Sequence, residues 1–115
     1  MVAPKIKMKA ILHKEFGGPE VLGVTNDVEI PQIEKHEVLI QVHAAGINRP
    51  DILQRSGGYP PPPGASEILG LEVSGEIVDV GEDVNKNLLN TKVCALVPGG
   101  GYAEFVKCHT STILP

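Results

Sequence analysis

The sequence predicts an all-β fold, a small and partly open β-barrel with one or two short helices. Three observations carry that prediction. Short runs of alternating apolar residues recur along the chain, each closed by turn residues. Thirteen glycines and 10 prolines among 115 residues punctuate those runs and do not gather in one block. Aromatic residues make up only 3% of the chain, so the core must be built from Val, Ile, Leu and Ala, which suit pleated sheets.

Residues 1–7 read as an extension, and residues 8–115 as the domain. The first strand spans residues 8–14, with Met8, Ala10 and Leu12 on one face. Gly17-Gly18-Pro19 breaks the chain. Val21, Leu22 and Val24, and then residues 28–33, read as two short strands around Thr25-Asn26-Asp27, the second meeting an edge or its exit at Pro31. Residues 38–45 form the clearest strand, with Val38, Ile40, Val42 and Ala44 pointing one way. Gly46 ends it. A helical turn follows, with Asn48 or Arg49 near the cap, Pro50 in the first turn, and Gly57-Gly58 as its stop. Pro60 to Pro63 fix φ, so this loop is stiff and irregular. Residues 68–80 alternate again. Residues 92–97 and 102–107 are expected to pair as a hairpin with a flexible tip at Pro98-Gly99-Gly100-Gly101.

Ten Lys and Arg against 14 Asp and Glu give a net charge of -4, which offers a phosphate backbone no attraction, and the aromatic content is too low for base stacking. Nucleic acid is therefore an unsuitable partner. Residues 1–16 contain no continuous apolar stretch, so no secretory signal or membrane span is read there, and a cytoplasmic protein is expected. Cys94 and Cys108 do not make a disulfide framework, and Cys94 in an apolar strand reads as inert packing. His13, His36 and His43 are scattered, and Cys108-His109 point to opposite faces of an extended chain, so no metal site is expected. The triglycine lacks both the spacing and the following helix of a dinucleotide fingerprint.

One stretch is more informative: Gly46-Ile47-Asn48-Arg49-Pro50-Asp51-Ile52-Leu53-Gln54-Arg55-Ser56-Gly57-Gly58-Tyr59, then the prolines, then Ile68-Leu69-Gly70-Leu71-Glu72-Val73-Ser74-Gly75. With these motifs the sequence resembles the N-terminal, GroES-like catalytic domain of the medium-chain dehydrogenase/reductase superfamily. Within it, the likeness is to the zinc-independent NADPH quinone oxidoreductases related to zeta-crystallin. Pro61-Pro62-Pro63-Gly64-Ala65-Ser66 and Leu96-Val97-Pro98-Gly99-Gly100-Gly101 are most similar to the stress-inducible branch. The resemblance spans residues 8–115, roughly the first third of such an enzyme, and implies a following Rossmann domain that binds most of the NADPH.

The resemblance also implies what is missing. Zinc-dependent relatives carry Cys at the position of Asn48 and His at the position of Leu71, and no cysteine between Gly81 and Lys92 marks their structural-zinc lobe. Hydride would pass to a quinone or related conjugated carbonyl without a metal. Asn48 and Tyr59 are the implied catalytic and cofactor-facing residues, orienting the nicotinamide and stabilising developing negative charge. Each has a plainer alternative, Asn48 as a helix cap and Tyr59 as an aromatic packed on Pro60. Glu72 reads as a half-buried hydrogen-bonding residue, or else as an acid. Alone, the chain is expected to be catalytically silent and to expose an apolar patch at Ile47, Leu53 and Leu69 that favours homo-oligomers. Two other readings stay open, a non-catalytic GroES-like binding or self-association module and a domain of an enoyl or alkenal reductase.

Overall fold

Small and β-branched residues at every second position build two sheets in a computed structural model that describes residues 7–115. The strands β1 (Lys7–His13) and β2 (Leu22–Glu29) form an antiparallel ribbon. The larger sheet holds β3 (Glu37–Ala45), β4 (Glu72–Val80), β5 (Lys92–Leu96), β6 (Phe105–His109) and β7 (Ile113–Leu114), in the order β6-β3-β4-β5-β7. The ribbon joins it through a bridge between Ala10 and Ala103, where the Ile11 N–H donates to the Tyr102 carbonyl at 2.9 Å. This curled, incompletely closed sheet is the partly open barrel the sequence predicts. The expected N-terminal extension lies outside the described residues apart from Lys7, the first residue of β1.

Val38 and Ile40 of β3, Val73 and Ile77 of β4, Val93 and Ala95 of β5, and Val106 and Cys108 of β6 face one another as the main core. Burying each Val or Ile contributes about 1.5–3 kcal/mol. Met8, Ala10 and Ile68 form a second cluster under the ribbon. The alternation expected for β3 holds from Val38 to Val42. A register shift between Val42 and Ala44 then turns Ala44 outward and leaves Ala45 against the core.

Four expectations need correction. The two short strands around Thr25-Asn26-Asp27 are one strand, β2, because a bulge opposite Met8 and Ala10 absorbs the extra residue and pairing with β1 continues. Pro31 lies beyond the end of β2. The strand expected from residue 68 begins at Glu72, since Gly70 adopts φ 108° and diverts the chain. The expected hairpin is absent: β6 pairs with β3, whereas β5 lies on the far side of β4. The connecting segment docks on residues 68–71 instead, the N–H groups of Val97, Gly100, Gly101 and Tyr102 donating to the carbonyls of Leu71, Ile68, Gly70 and Leu69.

The triglycine is therefore buried, not a flexible tip. A Cβ on Gly99 would stand 2.6 Å from the Ser66 carbonyl oxygen, and one on Gly70 would stand 2.7 Å from the Gly101 Cα, so glycine here permits backbone to touch backbone.

The fourth correction concerns Cys94, which the alternation of β5 turns outward into solvent, while Cys108 is buried. Burial also pushes the Cys108 thiol above its ordinary range. Ellman's reagent should accordingly modify one thiol per folded chain at neutral pH and the second only after unfolding. Two thiols reacting at equal rates would contradict the assigned faces of β5 and β6.

Candidate active site

Helix α1 (Arg49–Ser56) organises the site. Asn48 caps it in an extended conformation, Pro50 occupies its first turn, and Gly57 ends it at φ 95°, a left-handed position that favours glycine. The Asn48 N–H donates to Asp51 Oδ2 at 2.9 Å, closing the first turn. The buried face of α1 is polar, with Asp51 only 2% exposed and Gln54 3%, while Ile52 and Leu53 point to solvent.

Asp51 explains its own burial. Besides the Asn48 N–H, its carboxylate accepts the Gly70 N–H at 3.2 Å and the Tyr102 hydroxyl at 2.7 Å. One side chain thus ties α1 to the crossing of residues 68–71 with the triglycine segment. Burial first, and the bond to Asp51 second, lift the Tyr102 phenol well above its ordinary value near 10. A raised folded value means that this stabilisation is complete below about pH 10 and falls as the pH rises above it. Tyr102→Phe should remove part of the alkaline loss of stability seen in urea titrations between about pH 9 and 11, whereas unchanged pH slopes would contradict the bond.

Asn48 does more than cap. Its Nδ2 donates to Glu72 Oε1 at 3.0 Å, and Glu72 lies over Gly46, where a Cβ would strike the carboxylate. Glu72 is exposed, not half-buried as expected, and serves as the orienting partner of the Asn48 amide. It takes one amide hydrogen and leaves the second for a ligand. Beside this pair, a cleft of about 700 Å³ runs from Gly46 and Glu72 past Ser74 to Leu96 and Leu114.

Tyr59 stands at the other end of α1, 39% exposed, in a separate pocket of about 260 Å³ with Phe16, Gln54, Pro60 and Pro61. Eight helical residues separate the two settings by about 12 Å along the axis. No hydrogen bond joins Asn48 to Tyr59. The expected apolar patch is partly corrected: Ile47 is 80% exposed and Leu53 is exposed, but Leu69 is buried beneath the crossing segment. His36 and His109 lie with ring centroids 5.9 Å apart. Among the described residues, no three His, Cys, Asp or Glu side chains converge as metal ligands, and no helix is long and apolar enough to cross a membrane.

Asp51, Gln54 and Tyr102 escaped the sequence reading. The spacing of Asn48 to Asp51 carries the pattern of a capping box, which was the available signal for Asp51. Tyr102 has no local signal, since its partner lies 51 residues away.

The model of the alcohol dehydrogenase GroES-like domain family matches residues 34–115. Mouse quinone oxidoreductase is 42% identical over 109 residues, covering 94% of this chain and 33% of that protein. The solved quinone oxidoreductase of Coxiella burnetii superposes with a TM-score of 0.80 at 34% identity, covering 94% of this chain and 36% of that one. The human synaptic vesicle membrane protein VAT-1 homolog-like protein gives a TM-score of 0.85 at 27% identity, with 96% and 35% covered. The chain thus spans about a third of the length of the curated relatives it matches.

Proposed function

The chain belongs to the alcohol dehydrogenase GroES-like domain family, and on that premise we propose that it forms the substrate side of an NADPH-dependent quinone oxidoreductase that works without zinc. A Rossmann-type domain following it would complete the enzyme. The observation that carries the reading is the Asn48 amide held at 3.0 Å by Glu72, a residue that lines an apolar cleft, which puts a neutral donor at the position where the resemblance gives zinc-dependent relatives a metal ligand. Its support from the relatives is that those named quinone oxidoreductase match along nearly the whole chain.

The donors at the two ends of α1 are N–H and O–H groups of neutral side chains, which fit a nicotinamide carboxamide and a quinone oxygen. They do not fit the pyrophosphate: Pro50 and the Asp51 carboxylate occupy the helix start where an anion would sit. This chain would therefore meet the nicotinamide end only. When bound, NADPH supplies a hydride to the electron-poor quinone ring. Asn48, fixed by Glu72, orients a carboxamide or carbonyl through its second amide hydrogen. Tyr59, in its own pocket about 12 Å along α1 from Asn48, would meet the quinone and not the carboxamide, donating its phenolic hydrogen toward the oxygen on which negative charge develops, and the loop prolines limit how far it strays. Because the product is an aromatic hydroquinone oxyanion, neutral donors suffice. Leu96 and Leu114 present exposed apolar surface beside the cleft.

Zinc content tests the reading. After gel filtration, elemental analysis should find far less than one zinc per chain, and a chelator should leave quinone-dependent NADPH oxidation by the two-domain enzyme unchanged. About one zinc per chain, or activity lost to the chelator, would overturn it.

A further inference from the structure

We propose that Gln54 is a specificity-determining residue of the Tyr59 pocket, its carboxamide donating to a carbonyl oxygen of a compact, flat ring. The inference rests on the quinone reading only for the class of ring. Gln54 is 3% exposed and lies one helical turn from Asp51 on the inward face of α1. The burial of Asp51 is matched by three donors, whereas the Gln54 carboxamide has no hydrogen-bond partner among the described residues. None of those residues holds a side-chain nitrogen or oxygen that is both sealed from solvent and unpaired. The amide therefore keeps a polar opening, and the pocket it lines is that of Tyr59.

The carboxamide is nearly buried yet not sealed, so water can meet its polar atoms through the pocket, and a ligand carbonyl that displaces such a water would take over the same hydrogen bond. The walls define that ligand. Phe16, Tyr59, Pro60 and Pro61 offer ring faces and flat edges, His13, Lys14, Glu15 and Glu67 add polar groups to the lining, and about 260 Å³ falls below the usual range for small-molecule sites, so the space selects a small ring system that carries polar atoms. The loop carrying Phe16 is pinned to the end of α1, since the Gly17 N–H donates to the Arg55 carbonyl at 3.0 Å and Arg55 Nε returns a bond to the Gly17 carbonyl at 3.1 Å. The wall is thereby fixed before any ligand arrives.

The test uses the 115-residue chain itself. The probe is 2,3-dimethyl-1,4-naphthoquinone, whose blocked ring positions keep it from alkylating the exposed Cys94. Its control is 2,3-dimethylnaphthalene, of the same outline without carbonyls. In ¹⁵N NMR titrations the Gln54 side-chain NH₂ signals should shift with the quinone and not with the hydrocarbon. Gln54→Leu should raise the quinone Kd about ten-fold and leave the hydrocarbon Kd within about two-fold. Quinone binding that leaves the Gln54 amide unmoved, equal weakening of both ligands, or no quinone binding at all would overturn the proposal. The wild-type amide shift decides the matter even if the variant fails to fold. Because no cofactor is present, a carbonyl-dependent shift stands even if the complete enzyme fails to reduce quinones, so the two readings fail separately.

Discussion

Asp51→Ala should cost the domain about 3–5 kcal/mol, the largest loss expected from any single side chain of α1. The substitution strands three donors at once: the Asn48 N–H, the Gly70 N–H and the Tyr102 hydroxyl. The Gly70 N–H is buried beneath the helix, so water cannot readily replace the carboxylate there. Domains of this size are stable by only about 5–15 kcal/mol in total, so the urea midpoint should fall steeply, and the variant should be partly unfolded at 37 °C. Asp51→Asn keeps an acceptor and a similar shape and should lose markedly less. A loss below about 1 kcal/mol for Asp51→Ala would mean that the helix is held by something other than this carboxylate.

The second large effect concerns chemistry. In a two-domain enzyme, Tyr59→Phe should lower kcat for quinone reduction about ten-fold or more while shifting the Kd for NADPH much less, because in the proposed mechanism the hydroxyl acts on charge that appears only during the reaction. The ring, its contact with the prolines and the loop are all retained, which isolates the oxygen. Asn48→Ala should instead change both quantities, since Asn48 caps α1 and presents an amide held by Glu72. If Tyr59→Phe leaves kcat/KM within about two-fold in a folded enzyme, Tyr59 is a packing residue.

What was legible in the sequence was local. Period-two alternation identified β3, β4 and β5, and Asn-x-Pro followed by Gly-Gly placed α1 within a residue or two. Strand partners were not legible where the chain crosses the barrel. Pro98 to Gly101 carries every mark of a hairpin tip, yet the same small residues allow close backbone packing, and only the distant Ile68 to Gly70 decides between the two. The helix misleads for a related reason. Apolar residues are assumed to face inward, but α1 turns Ile52 and Leu53 out and buries Asp51 and Gln54. Such an inversion is a local conflict of the kind found at functional sites, and it becomes visible only once Tyr102 and Gly70 are seen to supply the donors.

The most direct test of the central claim is acceptor selectivity. The chain would be joined after Pro115 to the cofactor domain of mouse quinone oxidoreductase, and NADPH oxidation followed in a chelator with an ortho-quinone or with simple aldehydes and ketones of matched size. Rapid oxidation with the quinone and at least about a hundred-fold less with the carbonyl compounds is the predicted result, since neutral donors can steady a hydroquinone oxyanion but not an aliphatic alkoxide. Comparable rates with both acceptors, or reduction of aldehydes that appears only when zinc is restored, would contradict it.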